Sequence, residues 1–261
     1  MNMIKYPRTR HIVGSEIQTG DHDLKTASLS ELKNRSLVIE EKVDGANSGI
    51  SFDKNGELFL QSRGHFLTSG YRERHFNLFK TWAQIKKFDL FELLSDKYIM
   101  YGEWLYAKHT VFYDALPHYF LEFDIYDKEN KIFFSTEERR KFLKDYDFIK
   151  SVPVIYEGQI NSCEELENLI AQSLYKTADC MLNFIKLCES KNLDVERALT
   201  QTDSSNLAEG LYIKDEKNGV VVNRYKFVRN DFVQQIQSND DHWSDRPIIE
   251  NLLAGGGLDW G

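Results

Sequence analysis

Apolar and polar positions alternate in short runs over much of this chain and give way to helical spacing in a few stretches. Ser36 to Glu40 is an apolar run that enters a glycine turn. Ser48 to Phe52 and Glu57 to Gln61 follow, separated by Asp53-Lys54-Asn55-Gly56. Asn-Gly tolerates the positive φ of a tight hairpin, so the three runs predict an antiparallel meander. From Arg74 to Leu94, Phe76, Phe79, Trp82, Ile85 and Leu93 recur at mostly helical intervals, which predicts one or two helices facing a core. Strand-like runs return at Tyr98 to Trp104, Tyr119 to Tyr126 and Val152 to Tyr156, with a charged helix from Thr136 to Asp145 among them. Residues 160–205 read as a helical insertion, with Leu166, Leu169 and Ile170, then Met181, Leu182 and Ile185, on its buried faces. Two last strands, Gly210 to Lys214 and Gly219 to Val228, flank the turn Lys217-Asn218-Gly219. Alternation along the second places Arg224 and Lys226 on one face. The class is α+β with mostly antiparallel sheets.

Composition narrows this picture. With 261 residues, 41% of them hydrophobic, the chain can bury a sizeable core. It has no repeat, no low-complexity tract and no linker, and its four prolines are scattered, so a single domain over 1–261 is expected. No run of about eighteen apolar residues and no secretory leader are evident, which points to a soluble intracellular protein without a membrane partner. Cys163, Cys180 and Cys188 form no Cys-x-x-Cys pair and read as buried free thiols. A net charge of -8 argues against coating nucleic acid through bulk charge, but basic residues bunch locally. The bunches are Lys5, Arg8, Arg10 and His11; Arg63, Arg72, Arg74 and His75; and Arg224, Lys226 and Arg229.

The chemistry centres on Glu40-Glu41-Lys42-Val43-Asp44-Gly45, where a lysine ends a strand just before a carboxylate and a glycine turn. Taken alone, such a tetrapeptide is more often a hairpin with a solvated lysine. It gains meaning from Ser62-Arg63-Gly64, Tyr101-Gly102-Glu103-Trp104, Glu122-Phe123-Asp124, Glu209-Gly210-Leu211-Tyr212-Ile213-Lys214 and Arg224-Tyr225-Lys226, which follow in order.

Together these segments resemble the signature series of covalent nucleotidyltransferases, the superfamily of ATP-dependent ligases and capping enzymes, and within it the RNA ligases most. The resemblance runs from about Lys5 to about Arg229. It implies an α+β nucleotidyltransferase domain, the ATP-grasp-like adenylation domain of ligases, with mostly antiparallel sheets flanked by helices. Lys42 would attack the α-phosphate of ATP, expel pyrophosphate and carry AMP as a phosphoramidate. The AMP would pass to an RNA 5′-phosphate, and a 3′-hydroxyl would then displace it. Deprotonating a lysine of pKa about 10.4 costs about 4.6 kcal/mol at pH 7. Lys226, Arg224 and a bound divalent ion would each favour the neutral amine.

Further roles follow from the same resemblance, position by position. Asp44 and Gly45 complete the nucleotide-binding turn. Glu41, or Glu40 if the strand is offset by one, would read the adenine edge, Arg63 and Glu103 would hold the ribose, and Phe123 would stack on the base. Glu209 would hold Mg²⁺ or Mn²⁺. Lys214, Arg224 and Lys226 would grip the phosphates, Arg224-Tyr225-Lys226 departing from the family's usual Lys-x-Lys. Lys108 and His109 read as an exposed basic turn that could touch the RNA 5′-phosphate. Asp124 and Asp127 could ligate a metal or simply shape a turn.

After Val228 about thirty residues remain, ending in Trp243-Ser244-Asp245-Arg246-Pro247 and a glycine-rich tail. They leave no room for the C-terminal OB-fold or helical domain that relatives add, so an accessory protein is a possible replacement. Two other readings share these residues: a DNA nick ligase or GTP-using capping-type transferase, and a noncatalytic nucleic-acid-binding module.

Overall fold

The computed structural model describes residues 2–17, 23–232 and 247–258. The segment around Trp243 lies outside the described residues. In chain order the strands are β1 (Arg10–His11), β2 (Leu37–Lys42), β3 (Ala46–Phe52), β4 (Leu58–Ser62), β5 (Tyr98–Trp104), β6 (Phe120–Asp127), β7 (Ile132–Phe133), β8 (Lys150–Ser151), β9 (Val154–Gly158), β10 (Gly210–Lys217) and β11 (Val220–Val228). The α-helices are α1 (Asn77–Ile85), α2 (Lys87–Leu94), α3 (Thr136–Leu143), α4 (Cys163–Leu169), α5 (Cys180–Ser190) and α6 (Val195–Thr200).

Two sheets result, one ordered β1-β11-β10-β2-β9 and the other β4-β3-β5-β6-β7 with β8 beside β6. Pairing is antiparallel except for β1 on β11 and β8 on β6. The predicted meander therefore divides. β2 pairs with β10 and β9, and β3 pairs with β4 and β5, so the two strands belong to different sheets. Both edges of each strand are already taken, and Val43-Asp44-Gly45 crosses from one sheet to the other. The β3–β4 and β10–β11 hairpins form as expected, the latter through Asn218 and Gly219 at φ 53° and 78°.

Each helix start has a local cause where a cap is present. Ser135, Ser162 and Asp194 accept hydrogen bonds from the amides of Glu138, Glu165 and Arg197 at the heads of α3, α4 and α6. Phe79, Trp82 and Ala83 of α1 and Leu90, Leu93 and Leu94 of α2 bury against the second sheet's core, which includes Ile50, Phe52, Met100 and Phe120. Ile85, the last residue of α1, is 52% exposed instead of facing that core. Helices α4 to α6 occupy the predicted insertion, but α5 buries Cys180, Phe184 and Cys188. That four-residue spacing turns Leu182 outward, to 49% exposure. All three cysteines are free, two buried and Cys163 half-buried.

Where the sheets face each other an ionic layer lies beside an aromatic cluster that joins Tyr101 and Phe123 of the second sheet to Tyr212 of the first. Lys214 of β10 lies 2.9 Å from Glu40 and 3.2 Å from Asp124, while Arg139 of α3 reaches Glu40 at 2.7 Å and Glu122 at 3.5 Å. Unpaired charges could not survive at this depth, and here three cations meet three carboxylates once Arg224 joins Asp124 at 3.2 Å. Among the described residues no helix is long and apolar enough to cross a membrane.

Candidate active site

A cleft of about 580 Å³ opens where β2 ends and the chain crosses between the sheets. Lys42 is the last residue of β2 and pairs in register with Gly210, the first of β10. This register sets Lys42 beside Glu209: Nζ donates to Glu209 Oε1 at 2.6 Å, with the two side chains 19% and 1% exposed. Burial disfavours the lysine's charge, but Glu209, Asp44 and Glu103 outweigh it and hold the amine above its usual pKa. The charges that act most on the Lys42 amine are thus carboxylates and not the expected cations. The same crowding acts on the acids. Burial pushes Glu103 up to about 8, with Lys42 opposing and Asp44 and Glu209 adding to the rise. Burial also raises Glu209, against the pull of Lys42 and Lys226.

The Lys-x-Asp-Gly turn is held from below. Asp44 Oδ2 accepts from the amides of Thr110 and Val111 at 2.6 and 2.8 Å, and the Asp44 amide donates to the Tyr113 hydroxyl at 2.8 Å. Gly45 donates to Glu103 at 3.1 Å. A Cβ on Gly45 would lie 2.7 Å from both the Trp104 carbonyl oxygen and Leu105, so glycine is required here by close packing on the end of β5. Asp44 and Gly45 accordingly shape the turn that carries Lys42.

Lys42, Asp44, Gly45, Arg63, Glu103, Phe123, Glu209 and Lys226 all line the cleft. Arg63 is exposed at its mouth, and Lys226 is 7% exposed within it. The Phe123 ring is half-buried, edge-on to Tyr6 at 5.1 Å and nearly parallel to Tyr212. Glu40 and Glu41 also line the cleft, yet their carboxylates are engaged elsewhere. Glu40 pairs with Arg139 and Lys214, and Glu41 accepts from Ser173 Oγ and the Leu174 amide.

Two expected phosphate ligands are placed otherwise. Lys214 is fully buried and donates to the Phe123 carbonyl as well as to Glu40, outside the cleft lining. Arg224 does share a face with Lys226, but its guanidinium bonds Asp124 and the Tyr6 hydroxyl and lies 3.9 Å from the Phe133 ring centroid. The reason is Asp124 itself. Burial would raise its pKa, but Arg224, Lys214 and Arg139 hold it down to about 2, and this anion draws both cations inward. Asp124 is thereby a counter-ion, and Asp127 caps the Glu129 and Asn130 amides of a turn. Lys108 and His109 are buried, not an exposed turn; Lys108 donates to two backbone carbonyls, and His109 lines the cleft.

Sequence reasoning missed Tyr113, the Thr110 and Val111 amides, Ser173, Tyr212 and Arg139. Arg139 had the weakest signal, since it stands in a charged helix whose other charged residues, such as Glu137, Arg140 and Lys141, are solvated. Glu209, Glu103 and Asp44 supply the hard oxygen donors that a divalent cation prefers, gathered around one ammonium group. Among the described residues no three acidic, His or Cys side chains are already arranged as a ligand set. A cation there would be completed by water and phosphate oxygens, as Mg²⁺ sites commonly are.

No curated protein sequence matches the chain. Solved structures of an RNA ligase from Naegleria gruberi share its fold. A variant with AMP and manganese superposes with a TM-score of 0.56 at 15% identity, covering 91% of this chain and 59% of that one. A variant with ATP and manganese gives 0.55 at 14% identity, covering 92% and 64%. An apo variant gives 0.53 at 16% identity, covering 81% and 54%. The chain thus spans little more than half the length of some of these proteins. The family model for RNA ligase matches residues 35–228, from the strand before Lys42 through Lys226, and the chain belongs to the RNA ligase family.

Proposed function

We propose that the chain is an ATP-dependent RNA ligase that adenylates itself on Lys42. The observation that carries this reading is the placement of Lys42 at the end of β2, next to the Glu209 carboxylate, in a cleft of nucleotide size that Glu103 and Lys226 also line. The lone pair of Lys42 Nζ would form the N–P bond to the α-phosphorus of ATP while the bond to the pyrophosphate oxygen breaks. The proton must leave the ammonium first, and the Glu209 carboxylate is the group positioned to hold it. Lys226 would neutralise charge on the α-phosphate, Phe123 would face the base, and Arg63 with Glu103 would hold the ribose. A divalent cation held by Glu209 would supply positive charge against the phosphates. Transfer of AMP to an RNA 5′-phosphate and attack by a 3′-hydroxyl would complete sealing, with AMP released. The manganese, ATP and AMP of the Naegleria ligase structures support the same cofactors here.

Incubation with α-labelled ATP and manganese is expected to give a protein adduct that is stable in alkali and labile in acid, as a lysyl phosphoramidate is, and that Lys42→Ala abolishes. An unlabelled wild-type chain would overturn the reading, and RNA binding without an adduct would favour a noncatalytic module. Labelled GTP in place of ATP, and nicked DNA in place of RNA, test the capping-type and DNA-sealing alternatives.

A further inference from the structure

The most exposed aromatic side chains of the described residues include Tyr71, 79% exposed on a short 3₁₀ helix, Tyr71–Phe76, that runs to the cleft. The far end of this helix, Phe76, lines the cleft, and at about 2 Å per residue Tyr71 stands roughly 10 Å from that wall. The Arg74 guanidinium lies 4.5 Å from the Tyr71 ring centroid, close enough for a cation–π contact that covers part of the ring and leaves much of it open to solvent. The acid of this helix is withdrawn from the surface: Glu73 is 7% exposed, bonded by Lys80 at 2.5 Å and 3.5 Å from His65. Arg63 and His65 line the cleft and are exposed along this rim. Tyr71 belongs to none of the hydrophobic clusters among the described residues, and an open aromatic face flanked by cations, with its one acid buried and paired, is not explained by nucleotide binding.

We infer that Tyr71 is a stacking platform for a nucleobase of the RNA strand whose end enters the cleft, with Arg74 neutralising an adjoining phosphate. The occupant is single-stranded nucleic acid, because charge complementarity demands a polyanion and the open ring demands a flat partner. Stacking carries no base preference, since every base presents a π-face. This inference rests on the RNA-ligase reading above and adds the surface that engages the polynucleotide.

The test uses the full chain and a 5′-phosphorylated single-stranded oligoribonucleotide, with binding read by fluorescence anisotropy and self-adenylation read in parallel. Tyr71→Ala is expected to weaken oligonucleotide binding by about 5- to 150-fold, as loss of one base–aromatic stack does, and to leave the Lys42 adduct yield unchanged. Tyr71→Phe should restore binding. Arg74→Gln should lower the slope of log affinity against log salt by about 0.7, the value for one phosphate contact on a single strand. Normal adduct with wild-type RNA affinity in Tyr71→Ala overturns the stacking platform and assigns the patch to another partner. Failure of the wild-type chain to form any adduct overturns the ligase reading instead, so the two failures are separate.

Discussion

Lys42 and Glu209, 167 positions apart in sequence, meet at 2.6 Å because β2 ends where β10 begins. The pair holds Lys42, the proposed nucleophile, as an ammonium ion and sets its proton beside a carboxylate that burial has already made more basic. Replacing Glu209 by Gln keeps the shape but removes the charge that holds the proton. The amine of Lys42 in Glu209→Gln should therefore titrate at lower pH than in the wild type. Reductive ¹³C-methylation of the lysines and NMR titration of the Lys42 resonance measures this, and an unmoved midpoint would show that the pair does not set the pKa. The same variant is expected to form less adduct with ATP and manganese, having lost the carboxylate proposed to hold the metal.

Arg139 and the two carboxylates it touches make a second prediction. Its side chain is 3% exposed, and Glu40 and Glu122 are 1% and 0% exposed. Arg139→Leu leaves buried acids short of a counter-ion, a change that typically lowers stability by about 3–5 kcal/mol. Urea denaturation would measure the loss. Burial already raises the pKa of Glu122 against the pull of Arg139, so in the variant Glu122 takes up a proton more readily. The loss should accordingly be smaller at pH 5 than at pH 8.

Most strand positions were legible as short apolar runs bounded by turns, such as Tyr98 to Trp104, which the fold buries almost throughout. The partition into sheets was not. Nothing local in Glu40 to Phe52 says that Val43-Asp44-Gly45 leaves one sheet for the other; that depends on β10 and β9 occupying both edges of β2. The site divides along the same line. Lys42, Glu103, Glu209 and Lys226 were identified from an ordered series of short motifs and meet in one cleft. Lys214 and Arg224 belong to the same series, yet their partners Asp124 and Glu40 come from other strands, and only the assembled fold shows that these anions claim them. Charge type was readable, but not which charges would be neutralised inside the protein.

Asp124 should leave a mark on acid stability. Its ordinary carboxyl pKa of 3.8 falls to about 2 in the folded chain, where Arg224 and Lys214 outweigh the rise that burial imposes. A group with a depressed folded pKa stabilises fully above its unfolded value and loses that contribution as pH falls toward the folded one. The contribution here is about 2 kcal/mol, complete above roughly pH 5 and lost between about pH 4 and pH 2. Urea midpoints measured from pH 5 down to pH 2.5 should show this decline. The Asp124→Asn variant, less stable at pH 7, should lack that part of it.

Gly45 couples packing to chemistry most directly. A methyl group there would stand 2.7 Å from the Trp104 carbonyl oxygen, a backbone atom fixed by the β5 ladder, and equally close to the Leu105 side chain. The leucine can shift, but the carbonyl cannot, so the turn must move away from β5. That movement breaks or stretches the 3.1 Å bond from Gly45 to Glu103 and displaces Lys42, three residues earlier on the same turn. Overpacking of this kind lowers stability by about 1–3 kcal/mol. A misplacement near 1 Å at a reacting group lowers its rate by about 100-fold. Gly45→Ala is thus expected to fold with reduced urea stability and to form the Lys42 adduct about 100-fold more slowly under single-turnover conditions. Wild-type adduct kinetics in this variant would show that the turn absorbs the methyl group without moving the nucleophile.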